Sequence, residues 1–294
     1  MDFTGTIKYS FTNDYMFKAV LQQSPDVLKS LLASLLNIPI NEITDVHIEN
    51  PIILGENIDN KTIVLDVLVT LNDSQRINIE MQVVAQTFWK ERSIAYLCKL
   101  YNQLEPGDEY TEVMQTIHIG ILDFELFPGE KLFYSQNVFM DKNTYRIYSD
   151  NPALNVLCLK HVEEATQRDR DCGLYRWAKL FAATTWEELK MIAKNNDIME
   201  AAVATIQTLT EDQKVRIQCE ARKRNEMSWK MAQRQIAEAK KEAEDAKREL
   251  QLERETIRQE REAMRQERED KKKLQQEMDV LRRKLDELSS QHND

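Results

Sequence analysis

Three polar side chains interrupt two apolar segments in the first third of the chain. Asp66 lies within IVLDVLVTL, and Glu80 and Gln82 lie within INIEMQV. A charge inside an apolar strand costs free energy unless a partner compensates it, and no Lys or Arg lies within four residues of Asp66. A divalent cation would compensate the carboxylates. Carboxylate and amide oxygens are hard ligands that suit Mg²⁺ or Mn²⁺.

Glu80 and Gln82 are expected to share one face of a strand with Asn78. The three residues alternate with apolar ones over residues 77–83, which is the period of a β-strand. A solvated polar face near a sheet edge would produce the same pattern, and this alternative stays open for Glu80 and Gln82. Asp66 indicates a functional site, because a buried Asp without a charged partner marks such a site more often than it marks a contact that only stabilises the fold.

The position of Asp66 relative to Glu80 and Gln82 depends on the turn that joins the two segments. Asn-Asp-Ser-Gln follows the first segment and predicts a hairpin. A three-residue loop at 72–74 places Asp66 level with Glu80, and one at 73–75 places it level with Gln82. A loop of even length would turn Asp66 to the opposite face. Either odd loop therefore predicts that two carboxylates and an amide oxygen converge.

The elements that position these residues have a mixed α/β pattern. Two helices are expected within 15–36 and one within 87–104, and a series of helices begins at residue 173. Strands are expected at the following positions: 46–54, 62–71, 76–84, 112–126, 131–140, 143–148 and 154–162. The segments 131–140 and 143–148 are interpreted as an edge hairpin.

Residues 221–294 contain no Gly or Pro and carry a heptad repeat. One seam position is filled by Ile236, Ala243, Leu250, Ile257, Met264, Lys271, Met278 and Leu285. The other is filled by Ala239, Ala246, Glu253, Glu260, Glu267, Leu274, Leu281 and Leu288. The apolar end predicts a continuous helix over about 228–290 that pairs with a second copy of the chain. The three glutamates leave open a solitary charged helix stabilised by i,i+4 pairs.

Charge is divided unevenly along the chain. The tail at 221–294 holds 20 Lys and Arg against 18 Asp and Glu, and residues 1–220 hold the remaining 20 against 32. The tail is therefore nearly neutral and the body strongly acidic. An acidic body disfavours nonspecific binding to nucleic acid, although a local basic strip is compatible with it.

Other features limit the compartment and the class of function. The cysteines are widely spaced, predict neither zinc binding nor a disulfide framework, and are interpreted as reduced, buried thiols: Cys98, Cys158, Cys172 and Cys219. Neither a signal-peptide pattern nor an apolar run of membrane-spanning length is found, so we expect a cytoplasmic protein without a membrane partner. The absence of a glycine-rich phosphate loop and of GxSxG disfavours nucleotide hydrolysis and serine hydrolysis. His118, flanked by isoleucines, is interpreted as a core histidine.

Several segments, in order, resemble the recombination-promoting nuclease (Rpn) family of putative transposases in the PD-(D/E)XK nuclease superfamily. They are FTNDYMFKAVL at 11–21, LDVLVTLNDSQRINIEMQV at 65–83, FWKERSIAYLCKLYNQLEPGDEY at 88–110 and IHIGILDFELFP at 117–128. The resemblance covers about 8–235 and leaves out the tail.

The resemblance implies a PD-(D/E)XK nuclease-like mixed sheet flanked by helices, and DNA cleavage with Mg²⁺ or Mn²⁺. We place this core at 1–165, a helical subdomain at 166–227 and the coiled coil or long charged helix at 228–290. Asp66 and Glu80 would be metal ligands. Gln82 would be a catalytic residue, at the place where the lysine of the superfamily's name is replaced by glutamine.

Four further residues are candidates for the site. Asp14 and Lys18 match the family's first motif and are expected to approach the metal ligands; the alternative is a helix cap and a surface lysine. Arg92 and Lys99 share a helix face that is suited to DNA phosphate, with a solvated face as the alternative. The leading hypothesis is a metal-dependent DNA endonuclease that acts in recombination or mobile-element biology. The alternative is a non-catalytic scaffold with a degenerate nuclease core and an oligomerising tail.

Overall fold

A computed structural model describes residues 3–49, 67–85, 88–102, 104 and 108–290, except for the side chains of 284–290. Its helices are α1 (Asp14–Gln23), α2 (Pro25–Leu36), α3 (Trp89–Tyr101), α4 (Gln167–Asp171), α5 (Leu174–Ala182), α6 (Trp186–Ala193), α7 (Asp197–Glu211) and α8 (Gln213–Ser290). Its strands are β1 (Val46–Ile48), β2 (Val67–Leu71), β3 (Gln75–Gln82), β4 (Gln115–Leu122), β5 (Tyr134–Met140) and β6 (Ile147–Cys158).

Within these described ranges, six strands form one mixed sheet in the order β1-β2-β3-β4-β6-β5. β1, β2 and β3 are antiparallel neighbours, β3, β4 and β6 run parallel, and β5 closes the edge antiparallel to β6. Parallel neighbours need a crossover connection, and α3 lies between β3 and β4 in the chain. The predicted α/β class is therefore confirmed.

The two faces of the sheet are covered differently. Ile77, Ile79 and Ile119 belong to the large core, which also includes residues of α1, α2 and α5–α7. On the other face α3 packs over β4 and β6, where Trp89, Leu122 and Val156 form a small second core. Polar residues of β3 therefore lie beneath α3.

β6 combines two segments that the sequence separates. The expected strands at 143–148 and 154–162 are one strand, Ile147–Cys158, and a 3-10 helix follows at Leu159–Glu164. Pro152 falls where the register with β5 shifts between Asn137 and Phe139, and just before pairing with β4 begins at Ala153. A missing N–H costs no ladder hydrogen bond at such a place, so proline does not end the strand.

The continuous helix predicted for 228–290 is confirmed, but it begins earlier, at Gln213. Asp212 separates it from α7, and the Asp212 carboxylate accepts hydrogen bonds from the backbone N–H groups of Lys214 and Val215. The chain divides into two compact units, Met1–Trp229 and Lys230–Asp294.

All four cysteines are free thiols. Cys158 and Cys219 are buried as expected, Cys172 is half-buried, and the expectation of burial is wrong for Cys98, which is exposed on α3. No helix in the described part of the chain combines the length and apolarity needed to cross a membrane.

Candidate active site

The hairpin that presents the site turns through three residues. Leu71 pairs with Gln75, so Asn72, Asp73 and Ser74 form the loop. Asn72 and Asp73 have φ angles of 51° and 49°, a left-handed conformation that Asn and Asp tolerate better than most residues. The Asn72 side chain accepts hydrogen bonds from the backbone N–H groups of Thr44 and Asp45, which anchor the turn.

This loop selects one of the two predicted odd registers. Val67 pairs with Ile79, which is the register in which Asp66 was expected to lie level with Glu80 rather than Gln82. Asp66 itself lies outside the described residues. Its role as a ligand stays a prediction.

The polar face of β3 is buried. Asn78 and Glu80 are only 4% and 2% exposed, whereas the isoleucines that alternate with them lie in the large core on the opposite face. A solvated strand face, the alternative for Glu80, therefore does not describe this strand. Gln82, at the end of β3, is half-buried and donates a hydrogen bond from Nε2 to the carbonyl of Val84 at 3.1 Å. That bond orients the Gln82 amide.

Glu80 has two charged or chargeable neighbours, one at each carboxylate oxygen. Oε1 lies 2.7 Å from Nη2 of Arg92, and Oε2 lies 3.6 Å from Nε2 of His118. The Arg92 contact is an ion pair by distance. Both Glu80 oxygens are buried and have no hydrogen-bond partner among the described residues. Buried polar atoms in this state are rare in folded proteins, and they mark a place where water or an ion can bind.

His118 reaches Glu80 because β3 and β4 run parallel. Asn78 is the register partner of His118, and Asn78 Nδ2 lies 3.0 Å from His118 Nδ1. With the amide nitrogen as donor, Nδ1 accepts, so a neutral imidazole carries its proton on Nε2, the atom that faces Glu80. The prediction of a core histidine is correct for burial, since His118 is 0% exposed, but it misses the contact with the site.

The remaining candidates occupy separate positions. Asn13, rather than Asp14, caps α1 with its side chain, and Lys18 is 3% exposed, so the alternative of a cap and a surface lysine is wrong for both. Asp14 Oδ1 lies 4.0 Å from Nε of Arg222. Burial raises the pKa of Asp14, and the Arg222 guanidinium offsets this only in part. Lys99 is exposed on α3, whereas Arg92 from the same helix points to Glu80.

A hard divalent cation fits what the described residues offer. Within the described ranges, no group of three His, Cys, Asp or Glu side chains is placed to hold a metal ion. Glu80, however, supplies two buried carboxylate oxygens that lack hydrogen bonds. Mg²⁺ and Mn²⁺ bind preferentially to oxygen ligands, and a carboxylate such as that of Glu80 is one of them.

The described residues thus form a mixed α/β protein with a crossover helix packed over a buried acidic residue of the central sheet. A family model described as PD-(D/E)XK nuclease family transposase matches residues 11–237. The chain belongs to this family. Neither the search of curated proteins nor the search of solved structures found a match.

The sequence placed Asn78 on the face of Glu80 but did not reveal its contact with His118, and it did not identify His118 or Trp89 as neighbours of the site. A weak signal was present, since Asn78 and His118 are polar residues in the middle of two apolar strands. Their meeting depends on the parallel register of β3 and β4, which is a contact across 40 residues of chain.

Proposed function

We propose that this protein is a metal-dependent DNA endonuclease that hydrolyses phosphodiester bonds in recombination or mobile-element biology. The observation that carries the proposal is the buried Glu80 carboxylate without hydrogen bonds, on a strand whose register is the one expected for an Asp66–Glu80 pair. The family supports a nuclease- or transposase-like function. The free thiols suit a reducing compartment, and we place the activity in the cytoplasm.

Asp66 and Glu80 would hold the cation, Mg²⁺ or Mn²⁺. When bound, it would neutralise charge on the reacting phosphate and lower the pKa of the attacking water. The chain's own residues provide the rest of the site. Glu80 is held on a central strand with side-chain rotamers restricted by burial, and the fixed Gln82 amide is suited to orient a water or a phosphate oxygen.

Because residues 1–220 are acidic overall, we expect DNA to bind to local basic patches of the surface. Lys99 is exposed on α3 and suits a phosphate contact. α8 offers a longer surface: exposed basic residues recur at spacings of three, four or seven, which places them on one helix face. They are Lys240, Lys247, Arg254, Arg258, Arg261, Arg265, Arg268 and Lys272. We propose that this basic stripe contacts the DNA backbone.

A second candidate function is a non-catalytic scaffold with a tail that oligomerises. The observation that favours it is the Arg92–Glu80 ion pair, because a cation already compensates the buried carboxylate without any metal. The acidic body also favours it. DNA cleavage by the wild type and by Glu80→Gln separates the two candidate functions.

The test is cleavage of supercoiled and linear plasmid in Mg²⁺, in Mn²⁺ and in EDTA, by the wild type and by Glu80→Gln. We expect cleavage that requires the cation and is lost in Glu80→Gln. Glu91→Gln, which removes an exposed acid from α3, is the matched control and should cut as the wild type does. No cutting in either cation would favour the scaffold, whereas equal cutting by Glu80→Gln and the wild type would show that Glu80 is not a metal ligand that cleavage requires.

A further inference from the structure

Arg92 provides the charge that Glu80 needs in the metal-free protein. The Glu80 side chain is 3% exposed, and a lone buried carboxylate would be strongly destabilising. Arg92 reaches it from α3 with a side chain that is 26% exposed, so the guanidinium joins the buried carboxylate to the protein surface. The buried charge is therefore paired with a group that reaches solvent.

The two Glu80 oxygens are not equivalent. His118 lies against Oε2, in the interior, whereas Arg92 lies against Oε1 at 2.7 Å. A cation that binds Glu80 from the Arg92 side meets the guanidinium at the same oxygen. Two positive groups at one carboxylate oxygen repel each other in a site of low dielectric constant, so the cation and Arg92 compete.

α3 gives the guanidinium a second partner. Tyr96 lies one helical turn after Arg92, and its ring centroid is 5.2 Å from the Arg92 guanidinium carbon. Such a cation–π contact stabilises an arginine near a ring face. The guanidinium therefore has a partner on its own helix besides Glu80.

We propose that Arg92 is a built-in counter-ion that neutralises Glu80 in the absence of metal and is displaced when a divalent cation binds. The displaced guanidinium is then presented at the surface beside the site, where its geometry suits a phosphate of the substrate. Metal binding and DNA binding are thereby coupled through one side chain. The inference rests on the proposed function for the metal, and it assigns Arg92 a role that a permanent structural ion pair would not have.

This exchange of Arg92 for a divalent cation at Glu80 predicts that one substitution strengthens metal binding and weakens DNA binding. Arg92→Gln removes the competitor, so Mn²⁺ should bind more tightly, by about tenfold, which is within the usual range of coupling between two sites. The same substitution leaves Glu80 without a counter-ion, so the melting temperature in EDTA should fall and its rise on addition of Mn²⁺ should exceed that of the wild type. DNA affinity in the presence of the cation should decrease, since the phosphate contact is lost. A purely structural arginine would weaken metal binding by loosening the site.

The experiment is calorimetric titration of Mn²⁺ into the full-length wild type, Arg92→Gln and Lys90→Gln, with melting curves in EDTA and in Mn²⁺. Lys90→Gln removes an exposed cation two residues earlier on α3 and should bind Mn²⁺ within twofold of the wild type. Arg92→Lys, which keeps the charge, is the charge control, and Arg92→Met, which removes the charge but keeps an apolar stem, covers the case in which Arg92→Gln does not fold. The lysine variant should bind Mn²⁺ no more than about threefold more tightly than the wild type if charge is the competitor.

Glu80→Gln in the Arg92→Gln background identifies the site, because it should abolish the tightened binding. Equal or weaker Mn²⁺ affinity in Arg92→Gln, with normal binding by the wild type, would overturn the exchange and leave the metal site intact. Binding by Arg92→Gln but not by the wild type would support it. No Mn²⁺ binding by any variant would overturn the exchange together with the proposed metal-dependent function.

Discussion

Trp89 packs directly on Gly120. A Cβ atom added at Gly120 would lie 2.4 Å from Cζ2 of the Trp89 ring, which is far closer than two carbon atoms can approach. Gly120 is also the register partner of Glu80 on the neighbouring strand. The absence of a side chain at Gly120 thus lets α3 lie close to the sheet, and Arg92, about one turn along α3, reaches Glu80.

Gly120→Ala is expected to destabilise the protein by about 1–3 kcal/mol, the usual cost of inserting a methyl group into a packed core. The added methyl displaces Trp89 and with it the start of α3. Chemical denaturation measures the change. Trp89→Phe provides a smaller ring, so the double variant should be less destabilised than the sum of the two single changes. Additive effects would contradict a direct clash.

Asp66→Ala and Glu80→Ala are each expected to abolish DNA cleavage, with a loss of roughly 10³-fold or more, because a lost ligand removes several kcal/mol of metal-ion stabilisation. The fold should survive, as circular dichroism would show. Cleavage rates in Mg²⁺ are the measurement. A wild-type rate in either variant would mean that the catalytic assignment is wrong.

Gln82→Ala should reduce cleavage by less, about tenfold, which corresponds to one orienting hydrogen bond. The Gln82 amide is neutral, and a water molecule can replace part of its function, whereas no water replaces a charged ligand. The comparison is made at saturating Mg²⁺ in the assay used for Asp66. A loss as large as that of Asp66→Ala would instead make Gln82 an essential catalytic group.

Glu49→Gln should lower stability at neutral pH by about 1–2 kcal/mol, in the range for charged hydrogen bonds. Burial alone would raise the pKa of Glu49, but hydrogen bonds from Arg76 and Thr70 lower it below its usual value. A lowered pKa contributes stability above the ordinary Glu value, near pH 4.3, and this contribution is lost as the pH falls through the folded-state pKa. Urea unfolding at pH 7 and pH 3 tests this. A difference between wild type and variant that is as large at pH 3 would exclude the ionised pair as its cause.

The end of α8 should pair with a second copy of the chain. Leu274, Met278 and Leu281 are 60%, 49% and 61% exposed in the single chain, and the seam continues in sequence to Leu285 and Leu288, whose side chains lie outside the described part. Burying such a stripe contributes about 25 cal/mol per Å² of apolar area. Sedimentation equilibrium should give a dimer for the full chain and a monomer for Leu274→Glu/Leu281→Glu.

A matched variant, Leu252→Glu, places the same change on an exposed leucine outside the two seam positions and should remain dimeric.

The two helices of the pair can be parallel or antiparallel. Glu253, Glu260 and Glu267 weaken the middle of the seam in a parallel pair, but we slightly prefer the parallel pair because it keeps the apolar ends together. A wild type that stays monomeric at micromolar concentration would leave a solitary helix with i,i+4 pairs such as Arg258–Glu262, whose atoms lie 3.2 Å apart.

The sequence by itself determined the hairpin, the shared face of Asn78, Glu80 and Gln82, and the long helix. These depend on local periodicity and turn chemistry, which a chain carries in neighbouring residues. The two-residue period of a strand restricted the turn between β2 and β3 to an odd number of residues. The choice between 72–74 and 73–75 did not follow from this period, because it depends on how β1 and the segment before it hold Asn72.

The tertiary structure decided what surrounds Glu80. The parallel pairing of β3 with β4 places His118 at the level of Asn78, and the close approach of α3 over Gly120 brings Arg92, which the sequence suggested only as a phosphate contact, to the Glu80 carboxylate. Neither contact leaves a periodic signal, because each depends on a register between distant segments. Burial then gives them their importance, since a carboxylate removed from water depends on whichever charge the fold brings to it.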